Sequence, residues 1–155
     1  MRVGIGFDIH RLVPERPLVL GGVKVPFPKG LLGHSDADVL LHALCDALLG
    51  AVGAGDIGTY FPDTDPQWKG VPSRTFVAKA LELISARGLG IANVDLVMMA
   101  EEPKLLPHRS AIQQSVAQAL KVEMDRVNLK ARTMEGLGPI GAGEAMAAYA
   151  VVLLE

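Results

Sequence analysis

Apolar residues at Val39, Leu40, Ala43, Leu44, Ala47 and Leu48 recur at helical spacing through the stretch Gly33 to Gly50. Asp36 or Asp38 is placed to cap the start of this segment and Gly50 to end it. The stretch therefore predicts a helix with a buried stripe. Within it, Asp38, His42 and Asp46 stand four residues apart, so an otherwise apolar element carries an acid, an imidazole and a second acid along one line. That line fits a metal ligand with supporting carboxylates, Asp38 and Asp46 being placed to orient the His42 ring. A helix histidine satisfied by its neighbours is the alternative.

Further ligands stand at the amino terminus. Val3 to His10 reads as a strand, on which Asp8 and His10 project from one face while Phe7 and Ile9 point to the other. A carboxylate and an imidazole so placed can chelate one ion. With His42 they would make a three-ligand site with an open fourth position, the arrangement of catalytic rather than structural zinc. Three of the four histidines fall in the first 42 residues, which favours convergence over chance.

A chain of 155 residues suits one domain, residues 1–155, large enough to bury a core. Half the residues are hydrophobic and 21% are charged, which excludes a disordered chain. Aromatics at 5% and a net charge of −2 without basic runs argue against nucleic acid as a partner. Cys45 is the only cysteine, so no internal disulfide forms, and it is expected to pack as a small core residue in a reducing compartment. No apolar run approaches the roughly 20 residues that cross a bilayer, and the first residues lack a signal-peptide core. The expectation is a cytoplasmic protein without a membrane partner. Its abundance of alanine and valine suits burial against copies of itself.

In chain order, Arg11 to Pro17 reads as a polar loop, and Leu18 to Pro26 as a hairpin turning at Gly21-Gly22. Gly55-Asp56-Ile57-Gly58 is permissive backbone beside a carboxylate, suited to close approach of a ligand or to an ordinary helix exit. Phe61 to Gly70 is rich in turn formers and charges, an exposed loop able to move over a site. Ser73 to Arg87 is a second helix, capped by Ser73, stopped by Gly88 and buried along Phe76, Val77, Ala80, Leu81 and Ile84, with no chemistry of its own. Ile91 to Ala100 is a buried strand. A third helix starts near Pro107, with Ile112, Val116, Ala119 and Leu120 inward, and Lys104 stands in the loop before it, facing either a phosphate or water. Val127 to Thr133 is a strand, Met134 to Gly143 a glycine-rich turn and Glu144 to Leu154 a final strand. This alternation predicts an α+β domain, with helices packed on one face of a mixed sheet.

A catalytic-type zinc site, a mobile Pro/Asp loop, glycine turns and Thr133 near Glu135 together suggest phosphate chemistry. Zinc would polarise a phosphoryl oxygen, while Glu135, a hard oxygen ligand, would hold magnesium or manganese between phosphates. Five separated motifs sharpen this. Phe7-Asp8-Ile9-His10, Gly33-His34-Ser35-Asp36 with Asp38 and His42, Gly55-Asp56-Ile57-Gly58, Phe61-Pro62-Asp63-Thr64-Asp65 and Val127-Asn128-Leu129-Lys130-Ala131 resemble, in order and spacing, the 2-C-methyl-D-erythritol 2,4-cyclodiphosphate synthases.

The resemblance implies a homotrimer with active sites between adjacent subunits, acting on a small cytidine diphosphate substrate in the non-mevalonate route to isoprenoids. By analogy Asp8, His10 and His42 hold zinc, whose open position takes a phosphate oxygen, and His34 and Ser35 bind phosphate. Asp56, Ile57 and Gly58 with Phe61, Pro62, Asp63, Thr64 and Asp65 hold the methylerythritol part. Ala100, Glu101, Glu102, Pro103, Lys104, Leu105 and Leu106 cradle the cytosine. Arg132, Thr133, Met134 and Glu135 bind the diphosphate, with Glu135 on magnesium or manganese, and His34 and Thr133 supply the catalytic hydrogen-bond donors. The chain departs from the family at Arg132 and Met134, where many members carry Thr or Ser. It departs again at Pro139 and Ala142, where others carry an aromatic and an arginine lining a trimer-axis cavity that accepts an isoprenoid diphosphate. Two rival readings are a zinc phosphoesterase, in which metal-bound water attacks, and a nucleotide-binding scaffold with structural zinc, which needs a closed ligand set that this chain lacks.

Overall fold

In the computed structural model, which describes residues 1–155, glycines on one strand decide where the first helix sits. Strand β1 (Arg2–Pro14) alternates Gly4, Gly6, Asp8, His10 and Leu12 on one face with Val3, Ile5, Phe7 and Ile9 on the other. Helix α1 (Val39–Ala51) lies directly on the glycine face: a Cβ built on Gly6 would fall 1.9 Å from the Ala43 carbonyl oxygen, and one on Gly4 1.9 Å from that of Ala47. Small residues on both sides thus let backbone meet backbone, and because Gly4 faces Ala47 while Gly6 faces Ala43, helix and strand run in opposite directions. Continuing that register carries Asp8 to the first turn of α1, within reach of the His42 side chain.

The sheet has the order β4-β1-β7-β5-β6, with β4 (Lys29–Leu31), β5 (Ile91–Met99), β6 (Val127–Arg132) and β7 (Ala145–Leu154). Only β5 and β6 run parallel; the other pairings are antiparallel. Central β7 buries Met146, Ala148, Ala150, Val152 and Leu154 beneath α1, and the same face is closed by α3 (Arg74–Ser85) and α4 (Arg109–Leu120). The other face is largely open: Val3 and Ile5 are 67% and 68% exposed, and Phe7, Ile9, Tyr149 and Val151 stand beside them. A short helix α5 (Gly138–Gly141) covers only the end of that face, with Ile140 against Ala145, Ala147, Met99 and Met134. The mixed α+β architecture with helices on one face is as expected.

Strands β2 (Leu18–Leu20) and β3 (Val23–Val25) form the hairpin predicted at Gly21-Gly22. Both glycines have positive φ, 59° and 77°, as a two-residue loop matched to strand twist requires. Several boundaries differ from expectation. β1 continues through Arg11 to Pro14 because Leu12, Val13 and Pro14 pair with β4, so the loop shrinks to Glu15–Pro17. Helix α1 passes through Gly50, and the positive φ of 64° falls at Gly53. In α4 it is Ala117, rather than Ala119, that is buried. No helix is long and apolar enough to cross a membrane.

Candidate active site

Three acceptor atoms converge where β1 meets the start of α1. Asp8 Oδ2 lies 2.8 Å from His10 Nε2 and 3.0 Å from His42 Nδ1, and the two ring nitrogens are 3.1 Å apart. Ligand atoms on a tetrahedral zinc with bonds of about 2.0–2.1 Å sit roughly 3.3 Å from one another, so the spacing fits. The outward nitrogens show why these atoms suit a cation. His10 Nδ1 donates to the Leu32 carbonyl at 2.7 Å, which leaves Nε2 as a lone pair. His42 Nε2 has Ser35 Oγ at 3.0 Å and Ser73 Oγ at 2.9 Å, so a ring proton carried on Nε2 would leave Nδ1 as a lone pair. Two imidazole lone pairs and a carboxylate then face one another, a donor set that fits a divalent ion.

Electrostatics agree. Burial works against ionising Asp8, but hydrogen bonds and charge from His10 and His42 outweigh it and hold the carboxyl down to about 2. Burial likewise disfavours charge on His10, yet the hydrogen bond and charge of Asp8 win and raise it above its ordinary value. The field that favours a proton there favours a metal cation. Asp8 Oδ1 is separately fixed by the Ile9 N–H at 2.9 Å. Cys45, on the same helix, is buried and its thiol is pushed up to about 12 by that burial, so it is no ligand.

Asp8, His10 and His42 form one wall of a cavity of about 520 Å³, which His34, Ser35, Ile57, Gly58, Phe61, Pro62 and Asp63 also line. Asp56, Thr64 and Asp65 belong to the same segments but stand off the lining. Asp56 caps the single turn α2 (Ile57–Tyr60), accepting from Thr59 N at 2.9 Å and Thr59 Oγ1 at 2.8 Å, and these bonds lower its pKa. Asp65 caps the turn at Pro66–Trp68, and its carbonyl accepts from His34 Nε2 at 3.2 Å. The segment Phe61–Gly70 is less free than expected. Phe61 and Trp68 are half-buried, with ring centroids 5.0 Å apart, and both pack on Phe76 of α3.

The remaining residues expected at the site lie elsewhere on the chain. Ala100, Glu101, Pro103, Lys104, Leu105 and Leu106 line small hollows with Ala131, Arg132 and Thr133, and none of these residues borders the metal-side cavity. Glu102 borders a neighbouring hollow with Leu12 and Lys29. Met134 N donates to Glu101 Oε2 at 3.1 Å, tying the two segments together. Thr133 Oγ1 donates to Glu135 Oε1 at 2.9 Å, and Glu135 holds a left-handed backbone, φ 52°, unusual for a residue with a side chain. One chain therefore carries both halves of the anticipated site but does not join them.

The expected support of His42 by Asp38 and Asp46 is not what the structure contains. Asp38 is the helix cap, off the helical line, and its fully buried carboxylate accepts from Gly21 N, Gly22 N and Leu41 N at 2.9, 2.6 and 3.1 Å. Asp46 accepts from Ile57 N at 2.7 Å; burial raises its pKa. Ser73, expected as a helix cap, makes no capping bond and sets its hydroxyl oxygen 2.9 Å from His42 Nε2. No local pattern marks this contact, which spans 31 residues.

The YgbB family model matches residues 1–155. A curated relative from Gloeobacter violaceus, a 2-C-methyl-D-erythritol 2,4-cyclodiphosphate synthase, is 59% identical over 155 residues, covering 100% of this chain and 95% of the relative. A solved 2C-methyl-D-erythritol-2,4-cyclodiphosphate synthase aligns with a TM-score of 0.92 at 49% identity, over 99% of this chain and 100% of that one. A CDP-bound form of such a synthase gives 0.92 at 47% identity, over 99% and 100%.

Proposed function

The chain belongs to the YgbB family, that of the 2-C-methyl-D-erythritol 2,4-cyclodiphosphate synthases, and on that premise we propose that it converts 4-diphosphocytidyl-2-C-methyl-D-erythritol 2-phosphate into the 2,4-cyclodiphosphate with release of CMP. The observation that carries this reading is the convergence of Asp8 Oδ2, His10 Nε2 and His42 Nδ1 on one wall of the cavity. Asp8, His10 and His42 would hold a divalent ion, zinc by the donor set of two imidazoles and a carboxylate, and it would supply charge neutralisation at a phosphoryl oxygen.

The nucleophile is an already ionised phosphate, so the chain need not remove a proton. Its task is to bring two anions together and disperse charge as CMP departs. His34 and Ser35 donate to phosphate oxygens from the cavity wall. Asp56, Ile57, Gly58 and Phe61 to Asp65 bind the methylerythritol hydroxyls and methyl group. Ala100 to Leu106 receive the cytosine, and Arg132 to Glu135 the cytidine diphosphate, with Thr133 donating to the departing phosphate and Glu135 ligating magnesium or manganese. The CDP-bound relative supports a nucleotide subsite of this kind.

The separation of the two halves supports a homotrimer in which adjacent subunits complete each site. The open apolar face of Val3, Ile5, Phe7, Ile9, Tyr149 and Val151 supports self-association, since a patch of this kind is rare on a monomer. A cytoplasmic location accords with a biosynthetic role. Phosphorus NMR of the protein with substrate and magnesium, beside His42→Ala, tests the assignment, and sedimentation tests the trimer. Wild type is expected to give CMP and a cyclic diphosphate, with the variant losing zinc and turnover. Linear hydrolysis products would transfer the assignment to a zinc phosphoesterase, and no turnover with any divalent metal would refute catalysis.

A further inference from the structure

We propose that Ser73, held by Asp36, is a positioning residue that fixes the His42 ring so that Nδ1 faces the metal site. The proposal rests on the reading that Asp8, His10 and His42 hold a divalent ion. It comes from an account of donors and acceptors behind the histidine. His42 Nε2 has two hydroxyl oxygens within reach, Ser73 Oγ at 2.9 Å and Ser35 Oγ at 3.0 Å. Ser73 is fully buried, and both its backbone N–H, at 3.1 Å, and its hydroxyl are directed at the Asp36 carboxylate.

A carboxylate only accepts, so the Ser73 hydroxyl proton points to Asp36 and the oxygen's lone pairs are left for His42. Nε2 therefore carries the ring proton, and the lone pair is confined to Nδ1, on the side of Asp8 and His10. Ser35 Oγ accepts from Ala37 N at 3.1 Å and has Ser73 Oγ, 3.5 Å away, to take its own proton, so it too meets His42 with a lone pair. Asp36 is itself held by the segment it reaches: its N–H donates to the Val71 carbonyl at 3.2 Å, and its carboxylate also accepts from Asp38 N. The chain from Asp36 through Ser73 to His42 is the kind of outer support that orients a ligating imidazole and raises its basicity. A capping role does not account for Ser73, which lies in helical backbone geometry with no capping bond.

The test is zinc affinity by competition with a chromogenic chelator for wild type, Ser73→Ala and Ser73→Thr, with thermal unfolding of each in EDTA. Loss of such a partner weakens metal binding by about 10–100-fold. That loss is expected in Ser73→Ala, with recovery to within a few-fold in Ser73→Thr, which keeps the hydroxyl. A Ser73→Ala protein that binds zinc within twofold of wild type overturns the proposal while leaving the metal site standing. Wild type that binds no zinc overturns the metal reading itself, and the proposal with it. Should the alanine variant not fold, long-range ¹H–¹⁵N NMR of the zinc-loaded wild type decides. His42 protonated at Nε2 and ligated at Nδ1 is expected, and ligation through Nε2 refutes the proposal.

Discussion

Gly6→Ala is the substitution that most directly tests how this fold builds its metal site. The added Cβ would lie 1.9 Å from the Ala43 carbonyl oxygen and 2.8 Å from the Ala47 nitrogen, both backbone atoms of α1 that no rotamer change can move aside. Reaching an ordinary contact of 3.4 Å requires strand and helix to separate locally by about 1.5 Å. His42 precedes Ala43, so the separation opens the ligand triangle by far more than the roughly 0.2 Å that a metal site tolerates. Overpacking typically costs about 1–3 kcal/mol, and the upper end applies where two backbones collide. For a domain of this size that lowers Tm by roughly 6–12 °C. Gly50→Ala is the matched control on the same helix. Its Cβ would meet only the Ile5 carbonyl oxygen at 3.9 Å, and removing a helix glycine is expected to stabilise by about 0.5–1 kcal/mol. Calorimetry at one protein concentration, with and without zinc, and chelator competition give both quantities. Zinc affinity is expected to fall more than about 100-fold in Gly6→Ala and to hold in Gly50→Ala. A Gly6→Ala protein with unchanged Tm and zinc affinity would refute the claim that this backbone contact sets the ligand spacing.

Burial pushes the Asp38 carboxyl from its ordinary 3.8 up to about 6, against the pull of its three N–H donors. The folded chain thus holds this proton more tightly than the unfolded one, so the contribution of Asp38 to stability falls as pH rises from about 4 to about 6. Asp38→Asn removes that slope; denaturant melts in EDTA should show the wild type's advantage shrinking across this window, and an advantage that grows would contradict the assignment. Trp68→Ala removes ring contacts with Phe61 and Phe76, each worth about 0.5–1.5 kcal/mol, and is expected to raise KM several-fold and speed proteolysis between Phe61 and Gly70 at unchanged zinc affinity. Altered zinc affinity with unchanged KM would mean that this segment serves the metal rather than the substrate. On the role proposed for Glu135 as a hard-ion ligand, Glu135→Gln is expected to raise the magnesium needed for half-maximal turnover at least about tenfold while bound zinc stays stoichiometric. An unaltered magnesium titration would remove Glu135 from that role.

Much of this architecture can be read locally because its causes are local. Alternation along β1 puts Asp8 and His10 on the face of Gly4 and Gly6, and the helical period of α1 puts Ala43 and Ala47 where those glycines are. Once strand and helix pack on each other, those two periods bring His42 to the carboxylate. The Gly21-Gly22 turn is equally local, since the positive φ of both residues is a property of the dipeptide. Local pattern stops short where a side chain has a choice of partners. Spacing of four residues made Asp38 and Asp46 neighbours of His42, but each carboxylate was already engaged by backbone N–H groups, from the hairpin in one case and from α2 in the other. Periodicity identifies which groups can lie near one another; it carries nothing about which of them still has hydrogen-bonding capacity to offer. Ser73 has that capacity because Asp36 takes its proton, and Asp36 is brought there by a contact 37 residues long that no window of sequence contains. The partner of a metal-binding histidine is therefore decided by counting donors and acceptors in three dimensions, and here the count leaves a serine, not the aspartates one turn away.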